Sequence, residues 1–331
     1  MLRFGNKNMK KTLKKIVYFL LFTFLLCCIL PYLFPLSSLN LATIIEKNPT
    51  KKWGNIDDIL LHYQYLPTKN KTKKGNILLV HGFSGSTFSW RKNTDSLQNN
   101  GYDVIMVDLP CFGLSDRTKM KNHSPDERAK LLIRFLKKYF PDNQQYILFG
   151  HSMGASVVLA MAQQMPDAVT KVFLVDGAEL RFGKKTWGTY FALMAISFPP
   201  VERWIAVIAE YFFYTPSYFQ NILDSAYQQK ASLEAAEGYL FPFKIEGTTQ
   251  AILRSFRYAR NKNETDDFSN HKANIYMIWG RKDTWVPIKN AENFIKKYPK
   301  TQLFTFEDAG HNPMETHHKE FNQLIIKLLN Q

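Results

Sequence analysis

Gly150-His151-Ser152-Met153-Gly154 sets a serine between two glycines, directly after the apolar run Tyr146–Phe149 and directly before the apolar stretch Ala155–Met165. A strand, a tight turn and a helix in that order lift a hydroxyl clear of the strand's end and aim it at a substrate carbonyl. A serine hydroxyl is a weak nucleophile unless a base removes its proton and an acid orients the base. Asp283, in Trp279-Gly280-Arg281-Lys282-Asp283, and His311, in Ala309-Gly310-His311-Asn312-Pro313, supply these roles. Each follows an apolar run, Ile275–Trp279 and Leu303–Phe306, and loops at the carboxyl ends of parallel strands converge on one crevice. His311 would take the Ser152 proton and return it to the leaving group, while Asp283 fixes the imidazole tautomer. Asp176, at the end of Lys171–Val175, is a rival for the acid; the Gly-x-x-Asp context favours Asp283. Among the other histidines, His62 and His271 read as ordinary strand or loop residues, and His317 and His318 as solvated ones before a helix.

Acyl chemistry also needs donors for a developing oxyanion. His81-Gly82-Phe83-Ser84-Gly85 follows the run Asn76–Val80, where a loop can offer the Phe83 N–H, and Met153 at a helix N-terminus offers the second. The glycines permit close approach of the chain to a substrate. His81 reads as a brace for this loop rather than a reacting group.

Elements of alternating type must position these residues. Apolar runs at Ile59–Tyr65, Asn76–Val80, Asp103–Leu109, Tyr146–Phe149, Lys171–Val175, Ile275–Trp279 and Leu303–Phe306 predict strands of a mostly parallel sheet covered on both faces. Helices are expected over Pro125–Tyr139, Ala155–Met165 and His318–Leu329. The alternation lapses over 179–249, which reads as an inserted helical cap. From Trp187 to Phe219 that insert carries eleven aromatics in thirty-three residues, against 15% for the chain, a composition suited to a greasy cleft or a membrane. The expected organisation is an anchor over 1–40, a linker over 41–55, a core over 56–178 and 250–331, and the cap.

The net charge is +15, yet no nucleic-acid-binding motif accompanies it. Arg3, Lys7, Lys10, Lys11, Lys14 and Lys15 precede the uncharged run Ile16–Leu36, and Lys69, Lys71, Lys73 and Lys74 read as a solvated loop. Twenty-one residues at about 1.5 Å each span a hydrocarbon layer of about 30 Å. The basic flank predicts a cytoplasmic N-terminus, with the catalytic domain on the opposite side. No small-residue cleavage site follows and Leu26 is bulky beside Cys27, so an uncleaved signal anchor is preferred to lipidation or to secretion after cleavage. Cys111 stands alone outside this run, which leaves the folded domain without an internal disulfide.

Four segments, LLVHGFSGSTFSW (78–90), VIMVDLPCFGLSD (104–116), ILFGHSMGAS (147–156), and IWGRKDTWVP (278–287) with AGHNP (309–313), resemble the α/β-hydrolase superfamily. Cys111 departs from it, where members often carry glycine. The resemblance implies an eight-stranded, mostly parallel sheet, a lid after the sixth strand, and no cofactor; no metal is expected. It runs toward membrane-anchored and lipase-like branches, including monoacylglycerol-lipase relatives. Serine at the elbow, where dehalogenases and epoxide hydrolases of the fold carry aspartate, implies an acyl-enzyme and a carboxylic ester as substrate, which the aromatic insert makes a lipophilic one. A serine-dependent carbon–carbon bond hydrolase is the nearest rival, disfavoured because this chain has a single His-Gly-Phe where those enzymes carry a glycine-rich loop. A catalytically silent interaction module is the rival of another class.

Overall fold

The computed structural model describes residues 3–36, 39–178, 187–258 and 272–331. The expected cap's first residues and His271 lie outside them. The chain divides into two compact units, Met1–Ser37 with Lys185–Phe213, and Ser38–Lys184 with Tyr214–Gln331.

The larger unit is built on one eight-stranded sheet of order β1-β2-β4-β3-β5-β6-β7-β8. The strands are β1 (Lys52–Ile56), β2 (Ile59–Leu66), β3 (Gly75–Val80), β4 (Tyr102–Val107), β5 (Tyr146–His151), β6 (Val169–Val175), β7 (Asn274–Gly280) and β8 (Gln302–Phe306). β1 and β2 pair antiparallel, as do β2 and β4; every later pair is parallel. Because side chains alternate across a strand, Leu78 and Val80 of β3 pack into one core and Ile77 and Leu79 into the other. The first core is covered by the helices Pro125–Tyr139, Met153–Gln164 and Lys289–Lys297, the second by Thr94–Asn99 and His318–Leu329. Phe149, Phe173 and Tyr276 stack across β5, β6 and β7 with centroids 4.2 and 4.9 Å apart, which ties the strands nearest the serine.

The stretch 41–55, expected as a linker, is instead structured. Asn40 caps the helix Leu41–Lys47 through the Ala42 N–H (2.7 Å), and β1 follows. Ile44 is buried, and Trp53 donates to the Leu114 carbonyl (3.0 Å), so this segment is held by the core rather than loose between domains.

The smaller unit joins the N-terminal helix Arg3–Ile29 to the helices Trp187–Ile196 and Pro199–Ile208. Residues Lys11–Leu33 form a helical stretch long and apolar enough to cross a membrane, and it is almost wholly exposed. Its prolines shape how it ends. In an α-helix the Cys27 carbonyl would accept from residue 31 and the Pro31 carbonyl from residue 35, but both are prolines and have no N–H. The insert supplies the missing donors: Trp204 Nε1–H to Cys27 O (2.9 Å) and Arg203 Nε–H to Pro31 O (3.2 Å). Arg203 also donates to Phe34 O (2.7 Å), and the Tyr211 hydroxyl to Pro35 O (3.2 Å).

Candidate active site

Ser152 stands between β5 and the helix Met153–Gln164 with φ 49°, a left-handed conformation that bulky residues avoid. Its N–H donates to Val175 O (2.9 Å), which pins the turn against the end of β6. The flanking glycines are steric necessities. A Cβ on Gly150 would lie 2.5 Å from Gly154 O, and one on Gly154 would lie 2.5 Å from Val80 O. The serine is therefore flanked by two positions where helix and strand backbones meet too closely for any side chain.

Asp283 and His311 meet directly. His311 Nδ1–H donates to Asp283 Oδ2 at 2.7 Å, with both side chains buried. Asp283 Oδ1 accepts from the N–H groups of Trp285 (2.8 Å) and Val286 (2.9 Å), so its carboxylate takes three donors. The His311 N–H donates to Ala226 O (2.6 Å), and His151 Nε2–H donates to His311 O (2.9 Å). The rings of His151 and His311 are 4.9 Å apart, which brings the base beside the residue preceding Ser152. Burial, reinforced by the neighbouring His311, holds His151 well below the usual imidazole range, so it remains a neutral donor. With Nδ1 spent on Asp283, Nε2 of His311 is the nitrogen left for a proton from Ser152. No hydrogen bond joins Ser152 Oγ to His311 among the described residues; such contacts commonly tighten only when substrate binds.

The loop after β3 lies against the serine. A Cβ on Gly82 would fall 2.9 Å from Ser152 Cβ, so the next residue, Phe83, begins within reach of the nucleophile. His81 orders this loop: its Nδ1–H donates to Gly82 O (2.7 Å), and its Nε2 accepts the Leu109 N–H (2.9 Å). Burial lowers the His81 imidazole to about 4, against weaker upward pulls from Asp108 and Gly82 O. The Phe83 ring, itself exposed, contacts Phe112 and Phe256, each at 5.3 Å between centroids.

Several contributors are absent from the sequence reading. The exposed Trp285 ring packs 5.4 Å from His311. Buried Glu315, two residues past Pro313, accepts from Tyr227 (2.9 Å), Tyr239 (2.5 Å) and Asn312 (3.3 Å) and pairs with Arg91. It thereby ties the His311 loop to the helices Pro216–Tyr227 and Leu233–Leu240. Its tyrosine partners are remote in sequence, so no local pattern marks it. His62, read as an ordinary strand residue, is buried and bonded through Nδ1 to Asp108 (2.7 Å). Asp176 is fully buried one residue past β6. A carboxyl oxygen of it, one of Asp283 and a ring nitrogen of His311 lie within 4.8 Å of one another.

A family profile described as the alpha/beta hydrolase fold matches residues 75–318. An uncharacterized hydrolase, YugF, of Bacillus subtilis is 26% identical over 260 residues, covering 77% of this chain and 89% of that protein. The 2-hydroxy-6-oxononadienedioate/2-hydroxy-6-oxononatrienedioate hydrolase of Burkholderia vietnamiensis is 24% identical over 303 residues, covering 87% and 98%. Among solved structures, a membrane phospholipase A described as a bacterial virulence factor superposes with a TM-score of 0.65 at 20% identity, covering 97% of this chain and 98% of that one.

Proposed function

The chain belongs to the α/β-hydrolase family and is a hydrolase, and from that premise we propose that it cleaves a lipophilic carboxylic ester through an acyl-enzyme on Ser152. The observation that carries this reading is the buried Asp283–His311 pair, whose geometry leaves Nε2 as the free base beside the elbow. Ser152 Oγ attacks the ester carbonyl while its proton passes to His311 Nε2. The carbonyl electrons move onto oxygen, which accepts hydrogen bonds from the N–H groups of Phe83 and Met153; each such donor is typically worth about 10²–10³ in turnover. Collapse breaks the bond to the alkoxide, which leaves with the proton from His311. A water then gives its proton to His311 and attacks the acyl carbon; the acyl–Oγ bond breaks, His311 returns the proton to Ser152 Oγ, and the free acid leaves.

The choice of a lipophilic ester rests on apolar surface. In the smaller unit Trp187, Phe191, Met194, Phe198, Phe212 and Phe213 are exposed beside a helix suited to a bilayer. This supports a single-pass signal anchor with a cytoplasmic N-terminus and the catalytic unit opposite, with secretion after cleavage as the alternative. A fold neighbour named as a membrane phospholipase A is in keeping with it. The second reading, serine-dependent carbon–carbon bond hydrolysis, is favoured by the Burkholderia relative's named activity.

The test is purified full-length protein in detergent against nitrophenyl esters of increasing acyl length and a 2-hydroxy-6-oxo-dienoic acid. We expect ester turnover, fluorophosphonate labelling, and a loss of about 10⁴-fold or more in Ser152→Ala. Turnover of the dienoic acid alone would transfer the proposal to the second reading. Full ester activity in Ser152→Ala would overturn both.

A further inference from the structure

Two carboxyl groups are buried together behind the candidate base. Asp176 is fully buried and Asp283 5% exposed, and a titratable oxygen of each lies within 4.8 Å of the other and of His311. Their hydrogen bonding is unequal. Asp283 takes three donors, from His311, Trp285 and Val286. Asp176 Oδ1 accepts from the Gly280 N–H (2.8 Å), while Oδ2 has no N–H or hydroxyl to accept from among the described residues.

Two adjacent buried carboxylates facing at most one imidazolium carry an excess negative charge, so one proton stays with the pair. It belongs on the group with fewer donors to lose. We propose that Asp176 is a positioning residue of this site, holding that proton and donating it to Asp283.

The backbone supports a built arrangement. Asp176 has φ 43°, in the left-handed region, and is held there by its N–H to Ile278 O (3.0 Å) and its carboxyl to Gly280 N–H. Burial, with the charge of Asp283 adding to it and the Gly280 bond opposing, pushes the Asp176 carboxyl well above the usual range. The titratable groups near it are Asp283 and His311, with His151 behind the His311 ring. A hydrogen bond given to Asp283 draws charge from the carboxylate that orients His311 and keeps the base from becoming too strong to release its proton to a leaving group.

This rests on the reading of Ser152, His311 and Asp283 as the catalytic set, so the test includes a measurement that needs no turnover. Asp176→Asn preserves both bonds, with the amide oxygen accepting from Gly280 and the amide N–H donating to Asp283. We expect it to keep kcat/KM on a short nitrophenyl ester within about threefold, with the acidic limb of the pH profile unmoved. Asp176→Ala, which removes the donor, should move that limb upward by about 0.5 in pH or more. A downward move in Asp176→Asn would mean that a negative charge had been removed, and would overturn the proposal. Infrared spectra of the full-length wild type at pH 7.5 should show a protonated-carboxyl C=O band that Asp176→Asn lacks. A wild type without that band overturns the proposal whether or not either variant folds. Activity persisting in Ser152→Ala would instead defeat the catalytic reading and leave the band to be judged alone.

Discussion

Acidification should loosen the loop that carries Phe83, and His81 is the group through which it acts. In the fold this imidazole gives its Nδ1 proton to Gly82 O and uses Nε2 to accept the Leu109 N–H. A second proton must go on Nε2, where it removes that acceptor and leaves a buried cation. The folded pKa of about 4 lies below the value of 6.5 expected of an unfolded histidine. The stabilising contribution is therefore complete above pH 6.5. It is lost as the unfolded chain takes up a proton first, and the loss is complete once pH falls through about 4. A displacement of that size corresponds to about 3 kcal/mol, of which about 2 kcal/mol has gone by pH 5. His123, lowered to about 3 chiefly by burial, and His151 act in the same direction, so the wild-type decline alone does not isolate His81. The assay is urea unfolding of detergent-solubilised protein at pH 7.5 and 5.0, for wild type and His81→Gln. Glutamine cannot titrate, and the other histidines cancel in the comparison. Wild type should lose about 2 kcal/mol more than the variant. Equal losses would mean that burial of the neutral His81 imidazole does not drive the decline.

Two further outcomes follow from the same structure. Glu315→Gln leaves the partly buried Arg91 without its counter-charge and weakens the bonds from Tyr227 and Tyr239. Thermal unfolding should register a loss of about 2–3 kcal/mol, with a fall in kcat because the His311 loop is tied through this carboxylate. Full-length protein expressed in bacterial membranes should stay in the pellet through alkaline carbonate at its unprocessed mass. Release of the intact chain would be incompatible with a spanning Lys11–Leu33 segment.

Long apolar runs were legible in the sequence because a strand covered on both faces needs little else to specify it. β3, β5 and β7 appear within one or two residues of the ends expected. β1 was not, since Lys52-Trp53-Gly54-Asn55-Ile56 mixes polar and apolar residues and becomes a strand only by pairing with Ile59–Tyr63. At the site, Asp283 and His311 carry local signatures, and the structure brings them within 2.7 Å of each other. Ser152 is near them without a closed bond. Asp176 was visible only as a rival to Asp283; that the two are neighbours depends on β6 and β7 lying side by side, which no local pattern encodes. Glu315 and Trp285 belong to the same class, since each acts through partners remote in sequence.

The two prolines that end the N-terminal helix make that helix hard to detach from the insert. Cys27 and Trp204 are 177 residues apart, and Pro31 and Arg203 are 172 apart, so these carbonyls are bonded by a segment made much later. Cutting the chain after residue 37 to obtain a tractable fragment reverses the problem, because Arg203, Trp204 and Tyr211 then lose the acceptors that hold 187–213 in place. A truncated protein is thus a different molecule across its insert.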